Sequence, residues 1–162
     1  MMRHWLTDKF ANVSDKLAIS DSTGDYTYQD LIDNIHDLIE RTDFISKGSV
    51  VAICSDYSYQ SIALFLALAI KKCTIVPITN TISSELEVRL NESYTDYKAS
   101  LAVGRWKFES LSPNGSHEFL YSLKSNSHAG LVLFSSGSTG KPKAMVHDLD
   151  QLLDSYKDRR QK

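Results

Sequence analysis

Ser49-Val50-Val51-Ala52-Ile53-Cys54, the polar break Ser55-Asp56-Tyr57-Ser58, the apolar stretch from Tyr59 to Lys71, and Thr74-Ile75-Val76-Pro77 decide how this chain folds. The first and last runs are short, apolar and rich in β-branched residues, as strands buried on both faces are. The stretch between them has the length and composition of a buried helix. Strand, helix and strand in that order make a βαβ unit with its two strands parallel.

Beyond this unit, Glu85-Leu86-Glu87-Val88-Arg89-Leu90 reads as a short helix and Ala99-Ser100-Leu101-Ala102-Val103 as a strand ending at Gly104. From Arg105 to Asn126 the chain turns polar around Ser112-Pro113-Asn114-Gly115-Ser116, which predicts an irregular excursion. Leu131-Val132-Leu133-Phe134 restores strand character, and Ala144-Met145-Val146-His147 reads as a further strand. Asp148 then caps a final helix through Leu149, Leu152, Leu153 and Tyr156. Upstream, Thr27 is placed to cap a helix, with Asp30 three residues on and Leu31, Ile35, Leu38 and Ile39 at helical spacing. Strand and helix alternate through at least three cycles, so the expected fold class is α/β, a mostly parallel sheet flanked by helices. The 162 residues, 42% of them hydrophobic, suffice for one domain with its own core.

The chemistry concentrates in Ser135-Ser136-Gly137-Ser138-Thr139-Gly140-Lys141-Pro142-Lys143. Glycines let successive amides point into one concavity, Ser and Thr add hydroxyl donors, and lysines supply charge-assisted contacts, a combination suited to a polyphosphate. The segment begins where an apolar strand stops, and ligands in α/β sheets gather at strand ends. It is not a Walker-type P-loop, whose first glycine would fall at Ser135 and whose hydroxyl for magnesium would fall at Pro142.

The segment resembles the phosphate-binding loop of the AMP-forming superfamily of acyl/aryl-CoA synthetases, luciferases and peptide-synthetase adenylation domains, Ser/Thr-Ser/Thr-Gly-Ser/Thr-Thr-Gly-x-Pro-Lys-Gly. Ser135 to Lys143 meet nine of those ten positions; Ala144 stands where glycine is usual, which calls for an extended backbone there. Tyr26-Thr27-Tyr28-Gln29-Asp30-Leu31 is similar to the family's early Thr-Tyr-x-Glu-Leu motif. Leu66 to Pro77 is similar to its Leu-Lys-Ala-Gly-x-x-x-x-Pro segment, with Lys72-Cys73 in place of Ala-Gly.

The resemblance implies that residues 1–162 are one α/β domain, the N-terminal part of a larger AMP-binding ligase domain. It assigns ATP binding to Ser135, Ser136, Gly137, Ser138, Thr139, Gly140, Lys141 and Lys143, with Lys143 the catalytic motif lysine. Mg2+ is expected to arrive with the nucleotide, and no metal site is assigned to side chains. The implied substrates are a small-molecule carboxylate, ATP and coenzyme A as thiol acceptor, with fatty acyl-CoA ligase as preferred subclass. Peptide-synthetase-type adenylation domains and acyl-carrier-protein ligases remain alternatives. In the family, the segments that bind adenine, ribose and the carboxylate, and the mobile C-terminal lysine, lie downstream of this stretch. The isolated chain is therefore expected to be inactive; the alternative is a non-catalytic phosphate-binding or interaction module. Exposure of a surface otherwise covered by the rest of the enzyme would let the fragment self-associate.

A formal net charge of −2 gives no footprint for nucleic acid. Cys54 and Cys73, without close metal-ligand companions, read as buried thiols of a reducing compartment. His4, His36, His117, His128 and His147 are dispersed and form no metal set; His147 alone lies close to the loop in sequence. The longest apolar run, Ile62 to Ile70, is nine residues, against about 20 needed to span a bilayer. The first nine residues lack a secretory leader's apolar region, so a cytoplasmic location is expected.

Overall fold

The computed structural model describes residues 3–79, 83–135, 140 and 142–159. His4 caps the first helix, α1 (Trp5–Ala11), through its ring Nδ1, which accepts the Leu6 amide at 3.2 Å. A small antiparallel ribbon follows, β1 (Leu17–Asp21) and β2 (Gly24–Thr27). Thr27 then starts α2 (Tyr28–Arg41) with the expected capping box: its hydroxyl accepts the Asp30 amide at 3.2 Å and the Asp30 carboxylate accepts the Thr27 amide at 2.8 Å.

The expected βαβ unit is β3 (Val50–Cys54), α3 (Tyr59–Ile70) and β4 (Thr74–Ile78), its strands parallel from Val50 opposite Thr74 to Cys54 opposite Ile78. Then come α4 (Ser83–Glu92), β5 (Tyr97–Ala102), β6 (Arg105–Ser110), α5 (Glu118–Ser125), β7 (Gly130–Ser135), β8 (Lys143–Asp148) and α6 (Leu149–Lys157). The six strands form one sheet in the order β6-β5-β3-β4-β7-β8. Its four inner strands are parallel, and antiparallel β6 and β8 close the two edges. The α/β class with a mostly parallel sheet is thus as the sequence predicts.

Alternation along β3 shows how the layers form. Val51 and Ile53 face Leu31 and Ile35 of α2, Leu64 and Leu68 of α3, and Leu149 of α6. Val50 and Ala52 face the other way, toward Val76, Val132, Leu120 of α5 and Leu86 and Leu90 of α4. The helices that follow adjacent β3 and β4, α3 and α4, lie on opposite faces, which makes the carboxyl ends of these two strands a topological switch point.

The expected irregular excursion from Arg105 to Asn126 is mostly regular. β6 pairs with β5 through a two-residue turn, Val103 (φ 51°) and Gly104 (φ 71°), which is the type I′ geometry of tight hairpins. Val in the left-handed region is unusual, so the turn lacks the Asn-Gly or Asp-Gly that announces such hairpins. Trp106 and Phe108 face the core and alternate with Arg105, Lys107 and Glu109, so the strand's period of two was masked by its charged edge. In α5, buried Leu120 and Leu123 carry a helical spacing too short to stand out in a polar stretch. Only residues 111–117, which contain the turn signal, are irregular.

Helices α3, α4 and α5 end alike. Lys72 (φ 62°), Tyr94 (φ 52°) and Ser127 (φ 56°) each adopt the left-handed conformation just past the helix, and the next amide bonds back to the carbonyl five residues earlier: Cys73 to Leu68, Thr95 to Leu90 and His128 to Leu123. These are Schellman caps built without glycine. The departure Lys72-Cys73 therefore keeps the helix-to-strand turn while placing a side chain where glycine is favoured. At the far end, Lys9 of α1 donates its ammonium to the carbonyls of Tyr156 (2.9 Å), Lys157 (3.3 Å) and Arg159 (2.9 Å), closing the C-terminus of α6.

Candidate phosphate-binding site

β7 and β8 pair residue by residue from Gly130 opposite Asp148 to Ser135 opposite Lys143. Ser135 and Lys143 therefore stand directly across from each other, with their side chains on one face of the ribbon. This pair stands at the carboxyl end of parallel β7. Ser135 is half-buried and Lys143 is exposed. Gly140 has φ 81°, a left-handed conformation that favours glycine. Ala144 is extended within β8, as its place after the motif requires. Ser136, Gly137, Ser138, Thr139 and Lys141, the rest of the expected ATP-binding set, lie outside the described residues.

The surroundings divide by face. On the α3 side, an apolar cavity of about 370 Å³ runs along Ile53, Ile62, Phe65, Pro77, Leu131 and Leu133. On the α4 side, the Arg89 guanidinium sits over the Phe134 ring, 5.4 Å from its centroid, and reaches Glu85 Oε2 at 3.3 Å. Sequence reading passed over Arg89, whose local signal is a helical pair with Glu85; its approach to Phe134 is tertiary.

His147 lies away from Lys143. It pairs with Leu131, four residues along β8 from Lys143, which at about 3.4 Å per residue is roughly 13 Å away. The thiols are also set apart from the chemistry: burial pushes both Cys54 and Cys73 up to about 11, so each is protonated at neutral pH. Among the described residues no group of three or more His, Cys, Asp or Glu side chains is placed to hold a metal, and no helix is long and apolar enough to cross a membrane.

At the opposite end of the sheet, His128 Nδ1 meets Asp148 Oδ2 at 2.6 Å, while Asp148 Oδ1 accepts the Gln151 amide at 3.1 Å and caps α6. The Asp148 hydrogen bond raises the His128 pKa above 6.5. Burial, followed by the charge of Lys72, holds His4 below 6.5. The signs oppose. Stability from His128 is full below pH 6.5 and is lost as pH rises through its raised folded value. His4 takes stability away as pH falls through 6.5, because the unfolded chain then binds the proton more readily. Asn still caps a helix, so Asp148→Asn is expected to abolish only the His128 component. Chemical denaturation across about pH 5 to 8 should show the parent's advantage over the variant shrinking as pH rises. A constant advantage would remove the pair from the linkage.

Comparison with known proteins places the fold. No protein-family model matches the chain, and no curated protein matches it in sequence. Among solved structures, the Klebsiella oxytoca NpsA N-terminal subdomain in complex with 3-hydroxyanthranilyl-AMSN aligns at TM-score 0.66 and 24% identity, covering 87% of this chain and 39% of that one. The N-terminal domain of FACL13 from Mycobacterium tuberculosis, inhibitor-bound, aligns at 0.66 and 22%, covering 88% and 43%. VinN aligns at 0.69 and 17%, covering 94% and 44%. An artificially fused NpsA–ThdA adenylation–PCP di-domain from Klebsiella oxytoca aligns at TM-score 0.64 and 24% identity, covering 87% of this chain and 31% of that one. The chain has the fold of the N-terminal portion of adenylate-forming enzymes, and it spans about two fifths of the length of the first three of these structures.

Proposed function

We propose that residues 1–162 are the N-terminal part of an ATP-dependent, AMP-forming carboxylate ligase, one α/β unit of a larger AMP-binding domain. The observation that carries this reading is the pairing of Ser135 with Lys143 at the carboxyl end of the parallel sheet, which fixes both ends of the motif segment where α/β proteins hold ligands. The exposed ammonium of Lys143 suits a large anion. In this scheme Ser135, Ser136, Gly137, Ser138, Thr139, Gly140 and Lys141 hold the β- and γ-phosphates of MgATP. A carboxylate oxygen attacks the α-phosphorus, the bond to the bridging oxygen of the β-phosphate breaks, and pyrophosphate leaves with the negative charge. Lys143 offsets that charge as it develops, a preorganised electrostatic role. The nucleotide would be bound as its magnesium complex, in which the metal would offset phosphate charge. The thiol of coenzyme A or of a carrier protein then attacks the acyl carbon, the bond to the phosphate oxygen breaks, AMP leaves and the thiol proton is released. Fatty acyl-CoA ligase is the preferred subclass, in the cytoplasm. In support, the NpsA N-terminal subdomain, similar in fold to this chain, is in complex with 3-hydroxyanthranilyl-AMSN, and the FACL13 N-terminal domain is inhibitor-bound.

The alternative is a phosphate-binding module without catalysis. Calorimetric titration of the 162-residue chain with MgATP and with pyrophosphate tests both. Binding of both ligands, weakened about tenfold or more by Lys143→Ala, is expected if the motif is a phosphate loop, since a hydrogen bond to a charged group contributes about 1.5–3 kcal/mol. No binding of either ligand would sink the assignment. In any longer protein that contains this chain, ATP–pyrophosphate exchange separates ligase from module.

A further inference from the structure

We infer that the apolar cavity under the first half of α3 is a binding site for a small uncharged compound, one or two aromatic rings or a short alkyl chain with a hydroxyl at one end. The site is separate from the phosphate-loop reading and does not use Lys143.

The sheet makes the room. β3 and β4 stay paired to their last residues, Cys54 and Ile78, but the ladder between β4 and β7 runs only from Thr74 opposite Gly130 to Ile75 opposite Leu131. β4 continues to Ile78 and β7 to Ser135, and among the described residues no further pair joins the two strands. The cavity lies on the α3 side of this parting, with Pro77 on one bank, Leu133 on the other, and Ile53 beside Pro77. Ile62 and Phe65, three apart on α3, form its roof. Both are half-buried, whereas Leu64 and Leu68 of the same helix are fully buried in the core. The helix thus seals the middle of the sheet and leaves space over the carboxyl ends of the strands, where α/β folds take ligands.

The lining sets the ligand's chemistry. A void of about 150 Å³ holds one benzene ring, so the 370 Å³ of this cavity accommodate two fused rings. Among the described residues no ionised side chain lines it, and a charge buried there would lose its hydration without gaining a partner. Two residues further along the strands, Ile53 gives way to Ser55 and Pro77 to Thr79, on the same face and also in the lining. The cavity therefore grades from apolar within to hydroxyl-bearing at the strand ends. Ser55 Oγ donates to the Asp56 carbonyl at 3.2 Å, and a hydroxyl that donates retains lone pairs with which to accept. A ligand hydroxyl is suited to donate to Ser55, while its rings cover Leu133, which is 37% exposed.

Titration of the 162-residue chain with 1-naphthol, followed by methyl nuclear magnetic resonance, tests this site. Saturable shifts are expected at Ile53, Ile62, Leu131 and Leu133, and none at Leu120, Val132 or Val146 on the opposite face. 1-Naphthoate, of the same size but charged, is expected to bind at least tenfold more weakly. Leu133→Trp, which fills the cavity from outside the close-packed core, is expected to keep the parent's thermal midpoint and to weaken naphthol binding at least tenfold. Leu152→Ser, at an exposed leucine of α6, should leave that affinity within twofold of the parent. The methyl map is read on the parent and needs no variant to fold. The inference is overturned if naphthol gives no saturable shift, if the shifts spread over both faces of the sheet, or if a folded Leu133→Trp binds within twofold of the parent. Naphthoate binding as tight as naphthol would overturn the uncharged class.

Discussion

Leu68→Ala is expected to lower the stability of this chain by about 3 kcal/mol, with a midpoint of thermal unfolding roughly 6–12 °C lower. Leu68 is fully buried in α3, the helix that packs against both α2 and the parallel strands. Truncation there removes transfer free energy and also leaves a cavity, since neither α2 nor the sheet can collapse into the gap without breaking register elsewhere. Urea unfolding should show a lower midpoint at unchanged slope. A loss below about 1 kcal/mol would mean that α3 is not the central element of the core.

The second large effect comes from the addition of a single methyl group. Gly130→Ala is expected to cost about 2 kcal/mol, in the range for overpacked cores. A Cβ at Gly130 would lie 2.5 Å from Thr74 Oγ1 and 2.7 Å from Leu123 Cδ1, where β7 begins beside β4 and under α5. The cost is steric, set by how closely β4 and α5 crowd the start of β7. Thr74→Ala should therefore recover part of the loss in the Gly130→Ala background, giving a clear interaction free energy in the double-mutant cycle. Purely additive effects would show that the clash is relieved elsewhere.

The fold was legible wherever burial on both faces made a run uniformly apolar. Val50 to Cys54, Tyr59 to Ile70 and Thr74 to Ile78 could hardly be anything else, and the Thr27–Asp30 and Asp148 caps are local chemistry that needs no tertiary context. Edge strand β6 was not legible, because an edge is charged for solubility and its turn was Val-Gly. The β1–β2 ribbon and α1 were also unannounced: their side chains are largely half-buried or exposed, leaving little pattern to read. At the candidate site, Ser135 and Lys143 were legible as members of a motif, while their direct pairing depends on the β7–β8 register. Arg89 was hidden for a related reason. Nothing between positions 89 and 134 announces that they meet, and only the packing of α4 on the sheet brings them together.

The clamp from Lys9 onto the carbonyls of Tyr156, Lys157 and Arg159 has a consequence for the order of folding. It closes a ring of 147 to 150 residues, whereas β3 and β4 join across a single helix. Closure entropy grows with ring size, and contacts of long sequence separation gain nothing until the chain between them is organised. The first helix and the last are thus expected to meet after the parallel strands have assembled. Their contact acts as a latch on the finished domain, slowing its opening and leaving the speed of its formation to the βαβ unit.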